Sequence, residues 1–336
     1  MMHEPVSVLM SVYNGAPFLR EAVDSILGQT FPDFEFVVVN DGSTDATAEI
    51  LDSYGDPRLK VSHIANIGLP AALNFGLERC TYNLIIRMDA DDIAYPHRFE
   101  ALLRDWEEAG RPDVFGSGAD YINEDGVYLW GVTMPLEDEA IKTVLRAPHG
   151  MSIMHPTVLM RKDAVLACGA YDGYFRNGQD YDLWLRMASR CRFGNSPQRL
   201  LKYRFNGFSD TARSIRVGDG EIWTGNWMRL LSWQKQLLID AGEEEYWNAC
   251  RDRIIKGLRS RIDTRMIVKE AVTMRLLTEA KILFYSGKRM DGLLQLAKIL
   301  VQYPKITLKW LVGRKMTDIS HYLLSPAEIK QIATRS

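Results

Sequence analysis

The sequence predicts an α/β fold followed by an α-helical extension. Three observations carry that prediction. Short β-branched apolar runs recur early in the chain, stretches with helical spacing separate them, and beyond about residue 215 successive amphipathic helices replace the strand-like runs. Strand and helix alternating in this way call for a mostly parallel sheet covered on both faces.

Residues 5–12 (PVSVLMSV) read as a buried strand, as do 34–39 (FEFVVV), 59–64 (LKVSHI) and 82–88 (YNLIIRM). Between them Phe18–Leu27, Ala46–Tyr54 and Pro70–Leu77 have helical spacing, with Ala71, Leu73 and Leu77 on related faces. Further on, strands are predicted at 113–121 and 151–161, and a helix near Tyr181. From Glu221 the segments 222–241, 244–261, 265–285 and 290–302 read as amphipathic helices, the last interrupted by Pro304. The expected organisation is an α/β domain over 1–215 and a helical region over 216–336.

The 336 residues carry 41 Lys+Arg against 43 Asp+Glu and are 46% hydrophobic, which excludes disordered and fibrous classes and leaves room for two cores. No run reaches the ~18 apolar residues of a spanning helix. The start, MMHEPVSVLMSVYNG, lacks a basic leader before an apolar block, so the expected location is the cytoplasm. Cys80, Cys168, Cys191 and Cys250 form no CxxC pair and are expected to be reduced thiols. The overall balance of −2 hides an asymmetry. Residues 1–250 hold 23 basic and 36 acidic side chains (−13), and residues 251–336 hold 18 basic and 7 acidic (+11). The acidic part would repel a nucleic-acid backbone, whereas the basic part suits an anionic surface, a solvated face or docking onto the acidic domain.

In an open parallel sheet, residues just after each strand border the ligand crevice. Here strand one ends in Ser11-Val12-Tyr13-Asn14-Gly15, strand two in Asn40-Asp41-Gly42-Ser43, strand three leads to Asn66-Ile67-Gly68, and strand four runs into Asp89-Ala90-Asp91-Asp92. Three carboxylates in four positions repel one another unless a cation or hydrogen-bonding ligand offsets their charge. Oxygen donors without Cys or His favour a hard ion, Mg²⁺ or Mn²⁺, completed by phosphate oxygens. The alternative is a solvated turn capping the PHRFEALL helix. Asp180, where GQDYDLWLR meets a helix start, fits either a helix cap or a general base kept ionised by the helix N-terminus. Asp182 and Arg186 are spaced for an i,i+4 pair. There is no GxGxxG after the first strand, no GxxxxGK[ST] and no GxSxG elbow.

Six segments in order, VSVLMSVYNG, FEFVVVNDGSTDAT, NIGLPAALNFGL, IIRMDADDIAYPHRFE, HPTVLMRKDAV and GQDYDLWLRMA, resemble family 2 glycosyltransferases of the GT-A fold, a Rossmann-like nucleotide-diphospho-sugar transferase architecture. The resemblance covers about the first 210 residues. It implies inverting transfer of a sugar from a nucleotide-diphosphate donor, UDP preferred, to a hydroxyl of a saccharide or lipid-linked acceptor in bacterial surface-polysaccharide synthesis, with Mn²⁺ or Mg²⁺ as cofactor. Ser11, Tyr13 and Asp41 match positions that hold the nucleotide base, and Asn66 and Asn74 match the segment lining its pocket. Asp89 and Asp91 match the DxD, the first toward the ribose and the second on the metal, with Asp92 beside them. Asp180 matches the catalytic base, preceded by Gln179 where many members have Glu, and His155 falls in an HPT stretch implied to lie near acceptor or phosphate.

The basic extension lies outside the resemblance. Its segment 292–315, GLLQLAKILVQYPKITLKWLVGRK, mixes large apolar residues with Lys and Arg, which fits a membrane interface, packing on the catalytic domain or a homo-oligomer contact. Two other functions compete with transfer. A sugar nucleotidyltransferase needs a Gly-rich basic loop after strand one, of which SVYNGAPFLR is a poor version, and a non-catalytic nucleotide-sugar-binding subunit has no need of both the DxD and Asp180.

Overall fold

A computed structural model describes residues 4–146, 151–205, 217–218, 221–222, 225–261, 273, 276–277, 279–304, 307 and 323–334. Two compact units divide the chain, one built from Met1–Arg146 with Met151–Phe205, the other from Ala147–Gly150 with Asn206–Ser336. The composition boundary near 215 lies outside the described residues.

The first unit alternates as its sequence predicts: β1 (Val6–Val12), α1 (Ala16–Leu27), β2 (Phe34–Asp41), α2 (Thr47–Asp52), β3 (Leu59–Ile64), α3 (Leu69–Arg79) and β4 (Leu84–Met88). β1, β2 and β4 are buried along their whole length, which is why they read as continuous apolar runs. β1 pairs in parallel with both β2 and β4, and β2 with β3. One face of this sheet, with Val8, Met10, Phe36, Val38 and Ile86, shares a core with Leu19, Ala22, Val23 and Ile26 of α1 and with Phe99, Leu102 and Trp106 of α4 (Arg98–Glu108). On α3, Gly76 permits close packing, because a Cβ there would stand 2.3 Å from Leu9 Cδ1 and 3.1 Å from Val39 Cγ2.

Beyond β4 the sheet becomes mixed. β5 (Ile93–Ala94), β6 (Val114–Ile122), β7 (Tyr128–Val132), β8 (Leu159–Arg161) and β9 (Phe193–Arg204) complete it, in the order β3-β2-β1-β4-β8-β6-β9-β5 with β7 on β6. β8 runs antiparallel to β4 and β6, β7 to β6 and β5 to β9, whereas β6 and β9 are parallel, so the expectation of a mostly parallel sheet holds throughout β3-β2-β1-β4 and beyond it only for the β6–β9 pair. The strand predicted at 151–161 survives only as β8, because Pro156 sits in a 3₁₀ turn, His155–Thr157. The helices here are α5 (Asp138–Leu145), α6 (Lys162–Ala167) and α7 (Gln179–Ala188).

In the second unit, helices Gly225–Asp240, Glu244–Arg261, Arg289–Gln302 and Pro326–Thr334 are present, after a two-stranded ladder of Val217–Gly218 and Glu221–Ile222. Gln234, fully buried, donates to the Leu324 carbonyl at 3.0 Å and accepts the Leu324 N–H at 2.7 Å. Much of the predicted 265–285 helix lies outside the described residues, as does most of 305–315. Among the described residues no helix is long and apolar enough to cross a membrane.

Candidate active site

β2 and β3 lie on one side of β1 and β4 on the other. A reversal of strand order of this kind leaves a crevice beyond the carboxyl ends of the central strands. The loops that end β1, β2 and β4 supply its borders.

The first two of these loops are knitted to each other. Asn14 donates its N–H to Ser43 Oγ at 2.9 Å and accepts the Thr44 N–H through Oδ1 at 2.8 Å. The Gly15 and Ala16 N–H groups, at the start of α1, go to Thr47 Oγ1 at 2.9 Å and Asp45 Oδ2 at 3.1 Å. Asp41 is 2% exposed, and its two carboxylate oxygens accept the Ile67 and Gly68 N–H groups at 2.7 and 2.9 Å. Asn66 Nδ2 donates to the Asp41 carbonyl at 2.9 Å. Gly42 at φ 71° lets these loops touch, since a Cβ there would lie 2.4 Å from the Asn66 nitrogen. Asp41 and Asn66 therefore fix loop against loop, and any contact to a base uses the lone pairs left on Asp41. Ser11 is nearly buried at the end of β1, whereas the Tyr13 ring is half exposed. Asn74 commits both ends of its amide to the Tyr171 backbone, Nδ2 to the carbonyl at 2.8 Å and Oδ1 from the N–H at 3.0 Å. These contacts tie α3 to the segment that leads into α7.

After β4, Asp89, Asp91 and Asp92 each place a carboxylate oxygen within 4.8 Å of the others. Part of their mutual repulsion is offset by the protein itself. Arg87, 1% exposed one residue before the end of β4, pairs with Asp89. Behind it Arg98, fully buried, donates to the carbonyls of Arg87 at 2.9 Å and Pro156 at 2.8 Å, and burial pulls its guanidinium down to about 10. Arg204 donates its backbone N–H to Asp92 Oδ1 and its Nε to the Asp91 carbonyl, both at 2.8 Å. The argument from charge alone for a metal is thus weakened at Asp89. It is strengthened at Asp92, which is 1% exposed and has no hydrogen-bond partner for Oδ2. Burial, then the charges of Asp91 and Asp89, hold the Asp92 carboxyl well above its usual range.

Gly178, in the left-handed region at φ 72°, takes the N-cap position of α7, so the cap is not Asp180, which lies in the first helical turn beside Gln179. Asp182 pairs with Arg186 at 2.7 Å, as its spacing predicts, and Arg186 also binds the carbonyls of Cys168 and Ala170. Tyr171 connects the two halves of the site. Its phenol is pushed up by burial first, and feels the opposing charges of Arg87, which lowers it, and of Asp180 and Asp89, which raise it. Asp180 and the acidic cluster therefore both lie within electrostatic reach of one buried ring. His155 Nε2 is 2.7 Å from the Tyr171 hydroxyl, and burial followed by Arg87 drives the imidazole well below its usual range, so it stays neutral. Sequence reasoning missed Arg87, Arg98, Arg204 and Tyr171. The one available signal was a charged residue inside the apolar run IIRM, since a buried cation needs a partner.

The family model for glycosyl transferase family 2 matches residues 7–205. The O-antigen biosynthesis glycosyltransferase WbnJ of Escherichia coli is 34% identical over 215 residues, covering 61% of this chain and 81% of that protein. The amylovoran biosynthesis glycosyltransferase AmsE of Erwinia amylovora is 35% identical over 205 residues, covering 59% and 75%. Among solved structures, S. aureus TarS 1–349 in complex with UDP-GlcNAc superposes with a TM-score of 0.54 at 16% identity, covering 94% of this chain and 93% of that one, a likeness of fold. The match spans every strand of the first unit and all the carboxylates described above, and this chain is a glycosyltransferase that belongs to glycosyl transferase family 2.

Proposed function

We propose that this glycosyltransferase moves a sugar from a UDP-sugar to a hydroxyl of a saccharide or lipid-linked acceptor, with inversion, in the assembly of a cell-surface polysaccharide. The observation that carries the reading is the cluster of three carboxylates, Asp89, Asp91 and Asp92, that follows β4, with the charges of Asp89 and Asp180 both felt by the buried Tyr171 phenol. The relatives named for O-antigen and amylovoran biosynthesis support the product class, and the TarS complexes with UDP and UDP-GlcNAc support the donor class.

Tyr13, half exposed, offers a ring face to the nucleotide base beside Ser11. Asp89, Asp91 and Asp92 supply hard oxygen donors, and the unpaired buried Oδ2 of Asp92 fits that set to Mn²⁺ or Mg²⁺. Bound there, the ion would neutralise charge on the departing diphosphate. Asp180 acts as general base. Its carboxylate takes the proton from the acceptor hydroxyl as that oxygen attacks the anomeric carbon from the side opposite the diphosphate, so a single displacement inverts the centre. Gln179 beside it adds no second charge, and the helix N-terminus favours the ionised form. His155, neutral and hydrogen-bonded to the Tyr171 hydroxyl, orients that ring.

The same reading places the protein on the cytoplasmic side of a membrane, with residues 292–315 as a peripheral contact or a homo-oligomer contact. Asp180→Asn tests the chemistry. Transfer is expected to fall by roughly 10²- to 10⁴-fold, with the nucleotide-induced rise in melting temperature unchanged; turnover equal to wild type removes Asp180 from this role.

A further inference from the structure

The helix Arg289–Gln302 has two apolar faces, and its own unit uses only one of them. Gly292 and Ile299 are buried, with Leu296 packed beside Ile299 against Leu277 and Ala280. The contact is close, because a Cβ on Gly292 would stand 2.8 Å from the Ala280 carbonyl oxygen and 2.9 Å from the Phe284 nitrogen. At about 100° per residue, the opposite side of the same helix carries Met290, Leu293, Leu294, Ala297, Leu300 and Val301 in one stripe. All six are exposed, Val301 at 85% and Met290 at 68%. Arg289 borders the stripe on one flank, and Lys298 with, two turns earlier, Asp291 on the other, all three exposed. A stripe about 18 Å long and about 10 Å wide is roughly 200 Å², well short of the ~800 Å² per partner that a stable dimer buries. An exposed apolar stripe with Arg289 and Lys298 at its edges matches a different occupant, a lipid interface, with the stripe in the acyl boundary and the Lys and Arg heads among anionic headgroups. The balance of +11 over residues 251–336 has the complementary sign.

We propose that the Met290–Val301 face of this helix is a reversible docking surface for an anionic lipid bilayer. The inference deepens the membrane contact proposed above by assigning its residues and its lipid charge, and it does not depend on the donor chemistry. The test is co-sedimentation of the full chain with vesicles of phosphatidylcholine alone and of phosphatidylcholine containing one-third phosphatidylglycerol. Binding is expected several-fold higher on the anionic vesicles and to fall as salt rises. The double substitution Leu293→Glu, Val301→Glu should lower it at least tenfold, and Arg289→Glu with Lys298→Glu should remove the salt-sensitive part. All four positions are exposed, so melting temperature and circular dichroism should stay at wild-type values in both variants. The UDP-induced thermal shift is read separately, and its absence in wild type counts against the transferase reading without touching this one. Equal binding to both vesicle types, or binding unchanged by the double substitution, overturns the proposal. Sedimentation velocity that shows a dimer dissociated by the same substitutions, without vesicle binding, assigns the face to a second copy of the chain instead.

Discussion

The two banks of the crevice solve their electrostatics in opposite ways. On the bank formed by the loops after β1 and β2, short hydrogen bonds satisfy each polar group locally, and Asp41 has two backbone N–H groups on its two oxygens. On the bank formed by the loop after β4, three carboxylates crowd together, one held by a buried arginine and one keeping an unpaired oxygen. The first arrangement favours a fixed shape and the second stores a demand for positive charge. A site that binds a base and releases a charged diphosphate needs both, rigidity where the ligand is recognised and unspent negative potential where a cation and a leaving group meet.

The largest expected effect comes from removing the fixed cation. Arg87→Leu leaves Asp89 without its partner in a buried setting, a change that typically costs 3–5 kcal/mol; about 3 is expected, because Asp89 is 32% exposed and regains water. If the acidic bank is as described, Mn²⁺ should recover more stability in Arg87→Leu than in wild type, measured by denaturant melts with the ion or a chelator. Equal gains from the ion in both proteins would break the contrast between the banks.

Asp92 gives the contrast a pH dependence. Its carboxyl is held above the ordinary 3.8 by burial and by its acidic neighbours, so in the metal-free fold it keeps a proton that the unfolded chain has released. Stability from this group is therefore present below 3.8 and is lost as pH rises toward the folded value. Asp92→Asn should flatten that slope and raise the neutral-pH melting temperature of the chelated protein, while shrinking the stabilisation given by Mn²⁺. A variant with the wild-type pH slope would show that Asp92 does not carry it.

On the knitted bank the same kind of substitution should behave differently. Asp41→Asn keeps one acceptor but turns an amide toward the other N–H group, so about 2 kcal/mol is expected from the loss of one charge-assisted hydrogen bond. Because Asp41 holds the Ile67–Gly68 turn, stability and nucleotide affinity should fall together, and Mn²⁺ should restore neither. Restoration by the ion would merge the two banks into one electrostatic unit.

How much of this was legible depended on whether the signal was local. β1, β2 and β4 could be read because strands buried on both faces must be apolar without interruption. β9 could not, because FGNSPQRLLKYR has neither a continuous apolar run nor a regular alternation, carries a proline and pairs with β6 through two register shifts. The acidic cluster stood out because three carboxylates within four residues repel one another, and Asp180 because the resemblance matches it to the catalytic base where spacing alone left a helix cap open. Arg87 reads as one polar residue in a strand until its pairing with Asp89 is seen, and Tyr171 gains its position from His155 and from Asn74, the latter far away in sequence. Asn74 shows the converse: the resemblance implies only a place in the segment lining the pocket, and the hydrogen bonds to the Tyr171 backbone show what the side chain holds.

The smallest stability effect should come from Tyr13, and for that reason it is the sharpest probe of recognition on the knitted bank. The ring is 50% exposed, and the hydrogen bonds of its loop are made by its neighbours Asn14 and Gly15, so Tyr13→Ala should leave the unfolding free energy of the free protein within about 0.5 kcal/mol of wild type. If the ring stacks on the nucleotide base, UDP affinity should nevertheless fall by roughly 1–3 kcal/mol, the usual worth of one base–aromatic stack. Titration calorimetry separates the two numbers. Tyr13→Phe retains the π-face and should bind within about a factor of two of wild type by the same stacking argument. A loss in Phe as large as in Ala would assign the contribution to the hydroxyl, and the base would then be held by a hydrogen bond from an exposed side chain.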